Sequence, residues 1–63
     1  MDKQFTAEEK AKEAAREAAL RKRVYENLVN IGEKTRELAN KQIAIMNEIA
    51  DDYAELAKTE RLL

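Results

Sequence analysis

The sequence predicts an all-α protein built as an antiparallel two-helix hairpin. Three observations support this fold class: amphipathic periodicity covers most of the chain, no proline interrupts it, and the single glycine, Gly32, lies near the middle. Glycine often follows the last residue of a helix because it adopts positive φ at little cost. We therefore expect one domain, 1–63, with helices over 7–31 and 36–60 joined by a turn over 32–35.

The first helix begins with a capping box. Thr6 can accept a hydrogen bond from the amide of Glu9, and the Glu9 side chain can return one to the amide of Thr6. Large apolar residues occur only in the second half of this helix, where they form one stripe: Leu20, Val24, Leu28 and Ile31. A second stripe beside it is mainly alanine. Alanine buries little area, so we expect the N-terminal part to be the weaker one.

The second helix has an N-cap candidate in Thr35 and a wide apolar side. The main stripe contains Leu38, Ile45, Ile49, Tyr53, Leu56 and Leu63. Smaller and larger apolar residues widen it on one side: Ala39, Ile43, Met46, Ala50 and Ala57. The combined arc is about 160°, against about 100° for a typical surface helix. One neighbouring helix cannot cover that arc, which predicts a homodimeric four-helix bundle.

The size of the chain favours the same conclusion. A chain of 63 residues buries too little surface to be very stable alone, and small scaffolds are usually reinforced by disulfides, a metal or another chain. There is no cysteine for a disulfide.

The residues that we expect to contact the second chain in the assembly are Ile43, Met46, Ile49, Ala50, Tyr53, Tyr25 and Leu28. Gln42 interrupts the stripe of the second helix, where it either sets register and oligomeric state or lies at the rim.

The chain resembles a family of small uncharacterised helical proteins encoded by phages and prophages of proteobacteria. The resemblance depends on Arg23-Val24-Tyr25, on the turn from Gly32 to Thr35, and on the Ile-x-x-Met-x-x-Ile-x-x-Asp-Tyr pattern of 43–53, in which Asp52 and Tyr53 close the motif. It covers roughly 16–53. The chain has Glu26 where the family often has proline, and Gln42 where the family has glutamate. The resemblance implies an origin and no activity.

One basic concentration stands out in a nearly neutral chain of net charge −1. It consists of Arg16, Arg21, Lys22 and Arg23. Such a cluster can contact nucleic-acid phosphates. The alternative is structural, because Glu13, Glu17 and Glu26 lie at helical neighbour spacing. Arg21 also lies on the apolar side, where we expect a partly buried guanidinium bonded to a carboxylate or lying across an aromatic ring.

The residue types disfavour enzymatic chemistry. The chain has no cysteine, histidine or serine, and one glycine cannot build a phosphate-binding loop. An acidic group on the second helix could in principle hold a divalent ion or transfer protons: Glu48, Asp51, Asp52 and Glu55. The simpler interpretation is a solvent-exposed acidic face on which the carboxylates repel one another and Lys58 relieves the repulsion. We expect no enzyme activity, no cofactor and no metal.

The leading hypothesis is a phage-derived interaction protein that forms a homodimer and binds a host or phage protein, possible targets being host defence or transcription. A nucleic-acid-associated factor that uses the basic cluster is the alternative, and a designed bundle is a third. The stretch 42–47 is among the longest without charge, far short of the roughly 20 residues of a membrane span. We expect no membrane contact and a location in the cytoplasm of the bacterial host.

Overall fold

The computed structural model describes residues 4–62, which form two α-helices packed side by side in antiparallel orientation. Helix α1 spans Ala7–Asn30 and helix α2 spans Arg36–Leu62. The predicted helical hairpin is confirmed. Helix α1 ends one residue before the expected end at Ile31, and α2 extends two residues beyond the expected end at residue 60.

The N-terminus of each helix is capped by a threonine. The Thr6 hydroxyl accepts from the amide of Glu9 at 3.1 Å, and the Glu9 carboxylate accepts from the amide of Thr6 at 3.2 Å, so the expected capping box is present. Thr35 accepts from the amide of Leu38 at 3.2 Å. These bonds satisfy amides that have no partner inside the helix, and they fix where each helix starts.

The turn is closed by a Schellman motif centred on Gly32. The amide of Gly32 donates to the carbonyl of Val29 at 3.1 Å, and the amide of Glu33 donates to the carbonyl of Leu28 at 2.9 Å. This geometry requires a residue with positive φ, and Gly32 has φ of +79°. The chain reverses direction within five residues, so α2 must run back along α1.

Replacing Gly32 with alanine is expected to destabilise the hairpin by about 1 kcal/mol, because an L-residue pays that much for left-handed backbone. Apart from Gly32 itself and its two neighbours in the chain, no residue has an atom within 4 Å of a Cβ added there, so the loss is one of backbone conformation and not of packing. Urea unfolding measures it. The Gly32→Asn variant should lose less, since asparagine tolerates this conformation; equal losses for both variants would contradict the explanation.

The interior of the hairpin is made of alanine. The buried residues of the described part of the chain all belong to one set, which we call the alanine seam: Ala7, Ala14, Ala18, Ala39, Ala50 and Ala57. Small side chains let two helices approach closely, but each removes little apolar surface from water. Around this seam, larger residues such as Ile43 and Met46 are only half-buried. The hairpin therefore encloses a thin core.

Two contacts across the hairpin fix the register of its helices. The guanidinium of Arg36 makes a bidentate ion pair with the Glu26 carboxylate, at 2.6 and 3.0 Å. Near the other end, the Lys10 ammonium lies 5.6 Å from the ring centre of Tyr53. Hydrogen bonding by Arg36, followed by its positive charge, lowers the pKa of Glu26. Both side chains of this ion pair are largely exposed, so it orients the turn more than it stabilises the fold.

Candidate interaction surface

Large aliphatic side chains lie on the outside of the hairpin. Leu20 and Val24 of α1 are each 43% exposed, and Ile45 of α2 is 46% exposed. We call the whole set the apolar face: Leu20, Val24, Ile31, Leu38, Ile45, Ile49 and Leu56. Single exposed leucines are common on protein surfaces, but a contiguous group of this kind is typical of an interaction site.

The two helices contribute to the same side of the hairpin. On each helix the exposed aliphatic stripe is rotated about 100° from the direction of the other helix, counted at 100° per residue. When angles are counted along the chain, the rotation has the same sense on both helices. Because the two helices run antiparallel, rotations of the same sense place both stripes on one side of the hairpin. The Lys10–Tyr53 contact crosses the hairpin on that side, while the Glu26–Arg36 pair crosses on the opposite side. The hairpin as a whole is thus amphipathic.

The structure places most of the predicted interface residues inside the hairpin. Ala50 is buried in the alanine seam. The half-buried members are Tyr25, Leu28, Ile43, Met46 and Tyr53. Only Ile49 belongs to the apolar face, with 37% exposure. The face that we expected to receive a second chain, around Ile43, Met46 and Ala50, therefore lies against α1. The free face is the neighbouring stripe, rotated toward solvent.

Lysines cover the rings of both tyrosines. Lys10 lies over Tyr53, and Lys34 lies 4.2 Å from the ring centre of Tyr25. An ammonium over an aromatic ring is attracted to its negative face. Lys34 also donates a hydrogen bond to the side-chain oxygen of Gln42. These contacts give the tyrosines a structural role at the border of the hairpin, and they hold Gln42 at the edge of the apolar face.

Three of the four basic residues lie near one another on the exposed side of α1: Arg16 and Arg23 line one shallow pocket, and Lys22 and Arg23 line another. Arg21 donates from Nε to Glu17 at 3.0 Å and is 31% exposed, as expected for a partly buried guanidinium bonded to a carboxylate. Arg16 pairs with Glu13. Lys22 and Arg23 are exposed, whereas Arg21 lies on the half-buried side of the helix. Two of the four charges are thus engaged within α1.

The acidic residues of α2 do not form a metal site in the part of the chain that the structure describes. Within residues 4–62, no group of three or more histidine, cysteine, aspartate or glutamate side chains is placed to hold an ion. Glu55 pairs with Lys58 at 3.3 Å. Asp52 lies beside the apolar face and has no ion pair with any described residue.

The opposite side of the hairpin is polar. It carries a shallow groove of about 360 Å³ between the helices. Polar groups of Lys22, Asn40, Asn47 and the Glu26–Arg36 pair line this groove together with the apolar side chains of Tyr25, Ala39, Ile43 and Ala44. Charged and amide groups at its border remain hydrated in an isolated hairpin. Charged and amide side chains are thus concentrated on this side of the hairpin, and large exposed aliphatic side chains on the other.

The periodicity of the sequence does not specify which of two neighbouring stripes on each helix faces inward. The available signal was the spacing of alanines: Ala7, Ala14 and Ala18 recur at intervals of seven and four, and Ala50 and Ala57 at seven. Such intervals keep small residues on one side of a helix, where they allow close approach to a neighbour. The sequence predicts a second stripe of alanines on α1 and alanines that widen the apolar side of α2, and in the structure these alanines form the contact between the helices.

Comparison with protein-family models, with curated proteins and with solved structures gives no match. Neither described helix is both long and apolar enough to cross a membrane. Fold and surface together define a class: a small amphipathic helical hairpin with an uncovered apolar face.

Proposed function

We propose that this protein is a non-enzymatic interaction module that works as a homodimer and binds a further protein. The observation that carries the proposal is the distribution of apolar side chains. Among the described residues the buried ones are all alanines, while seven large aliphatic residues remain exposed on one face. A second copy would remove these side chains from water and complete a four-helix bundle.

The exposed surface supports this proposal quantitatively. The hairpin has an accessible surface of 5271 Å². A compact monomer of its mass, 7.3 kDa, would have about 4,200 Å². The excess reflects two helices whose outer sides are uncovered.

The side-chain types of the sequence also support a non-enzymatic protein. The chain lacks the cysteine, histidine and serine side chains that serve as nucleophiles and neutral-pH bases. The resemblance to small phage and prophage proteins supports a phage origin and a role in binding a host or phage protein in the bacterial cytoplasm. Interference with host defence or transcription is the kind of activity that such a module performs without catalysis.

The mass in solution tests the homodimer. Sedimentation equilibrium at micromolar concentration should give twice 7.3 kDa. Once the dimer is established, affinity capture from a bacterial host with the dimer as bait searches for the further partner. A folded species of 7.3 kDa at this concentration would refute the proposed homodimer.

A further inference from the structure

The outward stripe of α2 has the spacing of a coiled-coil seam. Its residues follow one another at alternating intervals of four and three: Leu38, Gln42, Ile45, Ile49, Asp52 and Leu56. Leu38, Ile45 and Leu56 are each close to half exposed, so the stripe is uncovered. Alternating intervals of three and four are the pattern by which two helices interlock side chains along a shared seam.

This stripe reads the same in both directions. From either end the order is apolar, polar, apolar, apolar, polar, apolar, and its centre falls at Asn47. We consider two copies of α2 packed antiparallel and related by a two-fold axis at that centre. A residue of one copy then lies opposite the residue of the other copy for which the two numbers add to twice 47. Leu38 then meets the partner subunit's Leu56, and Ile45 meets the partner subunit's Ile49. Gln42 meets the partner subunit's Asp52.

We infer that the homodimer forms by antiparallel packing of α2 on α2 of a second copy, with Gln42 bonded to the partner subunit's Asp52. This inference rests on the proposed homodimer and adds its face, orientation and register. Each apolar residue of the seam meets an apolar residue, and each polar residue meets a polar one. The contact between Gln42 and the partner subunit's Asp52 occurs twice in the dimer, once on either side of the two-fold axis.

The hydrogen-bonding groups of Gln42 suit this contact. Its side-chain oxygen already accepts from Lys34, which leaves the amide NH₂ group free to donate. Asp52 is exposed and has no ion pair with a described residue, so its carboxylate can accept. The Lys34 ammonium beside Gln42 adds positive charge near the incoming carboxylate. A polar pair of this kind in a seam fixes register, because any shift leaves its members without partners.

Other orientations place charge against the apolar face. A parallel seam would bring Asp52 against the partner subunit's Asp52, and two carboxylates at close range repel. A dimer with both turns at one end would lay α1 along the partner's α2. The register set by Lys10–Tyr53 and Glu26–Arg36 then places Glu13 and Glu17 level with apolar residues of that helix. In the antiparallel dimer, Glu13 instead lies within one helical turn of the partner subunit's Arg16.

A charge-swap cycle tests the register. The dissociation constant of the dimer is measured by sedimentation equilibrium for the wild type, Gln42→Glu, Asp52→Lys and the double variant. Gln42→Glu should weaken the dimer at least tenfold (about 1.4 kcal/mol), because it faces a carboxylate with a carboxylate. The double variant should return to within about threefold of the wild type, since the introduced charges attract. Asn40→Asp, the same charge change on the polar side of α2, should have little effect.

This rescue cannot arise within one chain. Positions 42 and 52 are ten residues apart on a straight helix, about 15 Å along its axis, so their charges do not meet in the monomer. Additive effects of the two substitutions, with no rescue, would overturn the proposed pairing.

A distance between the two turns tests the orientation. The chain has no cysteine, so Glu33→Cys provides a single site for a spin label in each copy. The turn lies about 14 residues from the two-fold axis, which predicts a separation of about 42 Å between labels. Turns at the same end would give less than about 25 Å, since axes in a bundle are 8–10 Å apart. A dimer with the short distance overturns the orientation and leaves the homodimer intact; a monomeric wild type overturns both.

Discussion

Replacing Ile45 with glutamate is expected to abolish the dimer and, with it, most of the helical structure at micromolar concentration. Ile45 lies at the centre of the apolar face and is 46% exposed in the single hairpin. In the dimer the substitution removes apolar burial and places a charge in the seam of both subunits. The combined cost is at least about 3 kcal/mol per dimer, or more than about a hundredfold in the dissociation constant. Sedimentation and far-ultraviolet circular dichroism measure both effects.

The adjacent residue provides a matched control. Ala44 is exposed and faces the polar groove, so Ala44→Glu adds the same charge to the same turn of α2 without entering the apolar face. It should leave mass and helicity close to those of the wild type. If Ile45→Glu and Ala44→Glu behaved alike, the apolar face would not be the site of association.

Replacing Ala18 with leucine is expected to destabilise the hairpin by about 1–3 kcal/mol, the usual cost of forcing additional methylenes into a close-packed interior. Ala18 is 4% exposed, and it belongs to the seam that lets α1 and α2 approach closely. A larger side chain there pushes the helices apart and disturbs both halves of the interior. Thermal unfolding at fixed protein concentration measures the loss.

Ala19→Leu is the natural comparison for this variant. Ala19 follows Ala18 directly on α1 but is exposed, so leucine at this position meets solvent and should change stability by less than about 0.5 kcal/mol. An Ala18→Leu variant as stable as the wild type would contradict the idea of a closely packed alanine seam.

The hairpin itself could be predicted from the sequence because its determinants are local. Thr6 with Glu9 forms a capping box from side chains three residues apart. Gly32 ends α1 through bonds to residues within one turn, and Thr35 starts α2. Each of these signals is complete within a few residues, so a single sequence contains all the information needed.

The rotation of the helices about their axes could not be predicted in the same way. On α1 the stripe with Leu20 and Val24 and the stripe with Ala14 and Ala18 lie side by side, and either could face α2. The choice depends on how closely two backbones approach, which is a property of both helices together. Close packing selected the alanine stripe and left the aliphatic stripe in solvent. For this reason most of the expected interface residues lie inside the hairpin.

The role of Gln42 illustrates the same limit. From sequence alone it is either a rim residue or a register-setting residue, since a wheel gives its direction but not its neighbours. The structure places it at the border between the interior and the apolar face, bonded to Lys34. That position is what makes a bond to a second copy possible.

The homodimer, the phage origin and the binding of a further protein stay predictions.

The concentration dependence of thermal unfolding tests whether this hairpin is half of an assembly. Helicity at 222 nm is followed during heating at protein concentrations that span about a hundredfold. If folding depends on a second copy, the midpoint rises steadily with concentration, because association and folding are linked by mass action. A cooperative transition whose midpoint is the same at every concentration would show that the hairpin folds alone, and it would refute the proposed assembly.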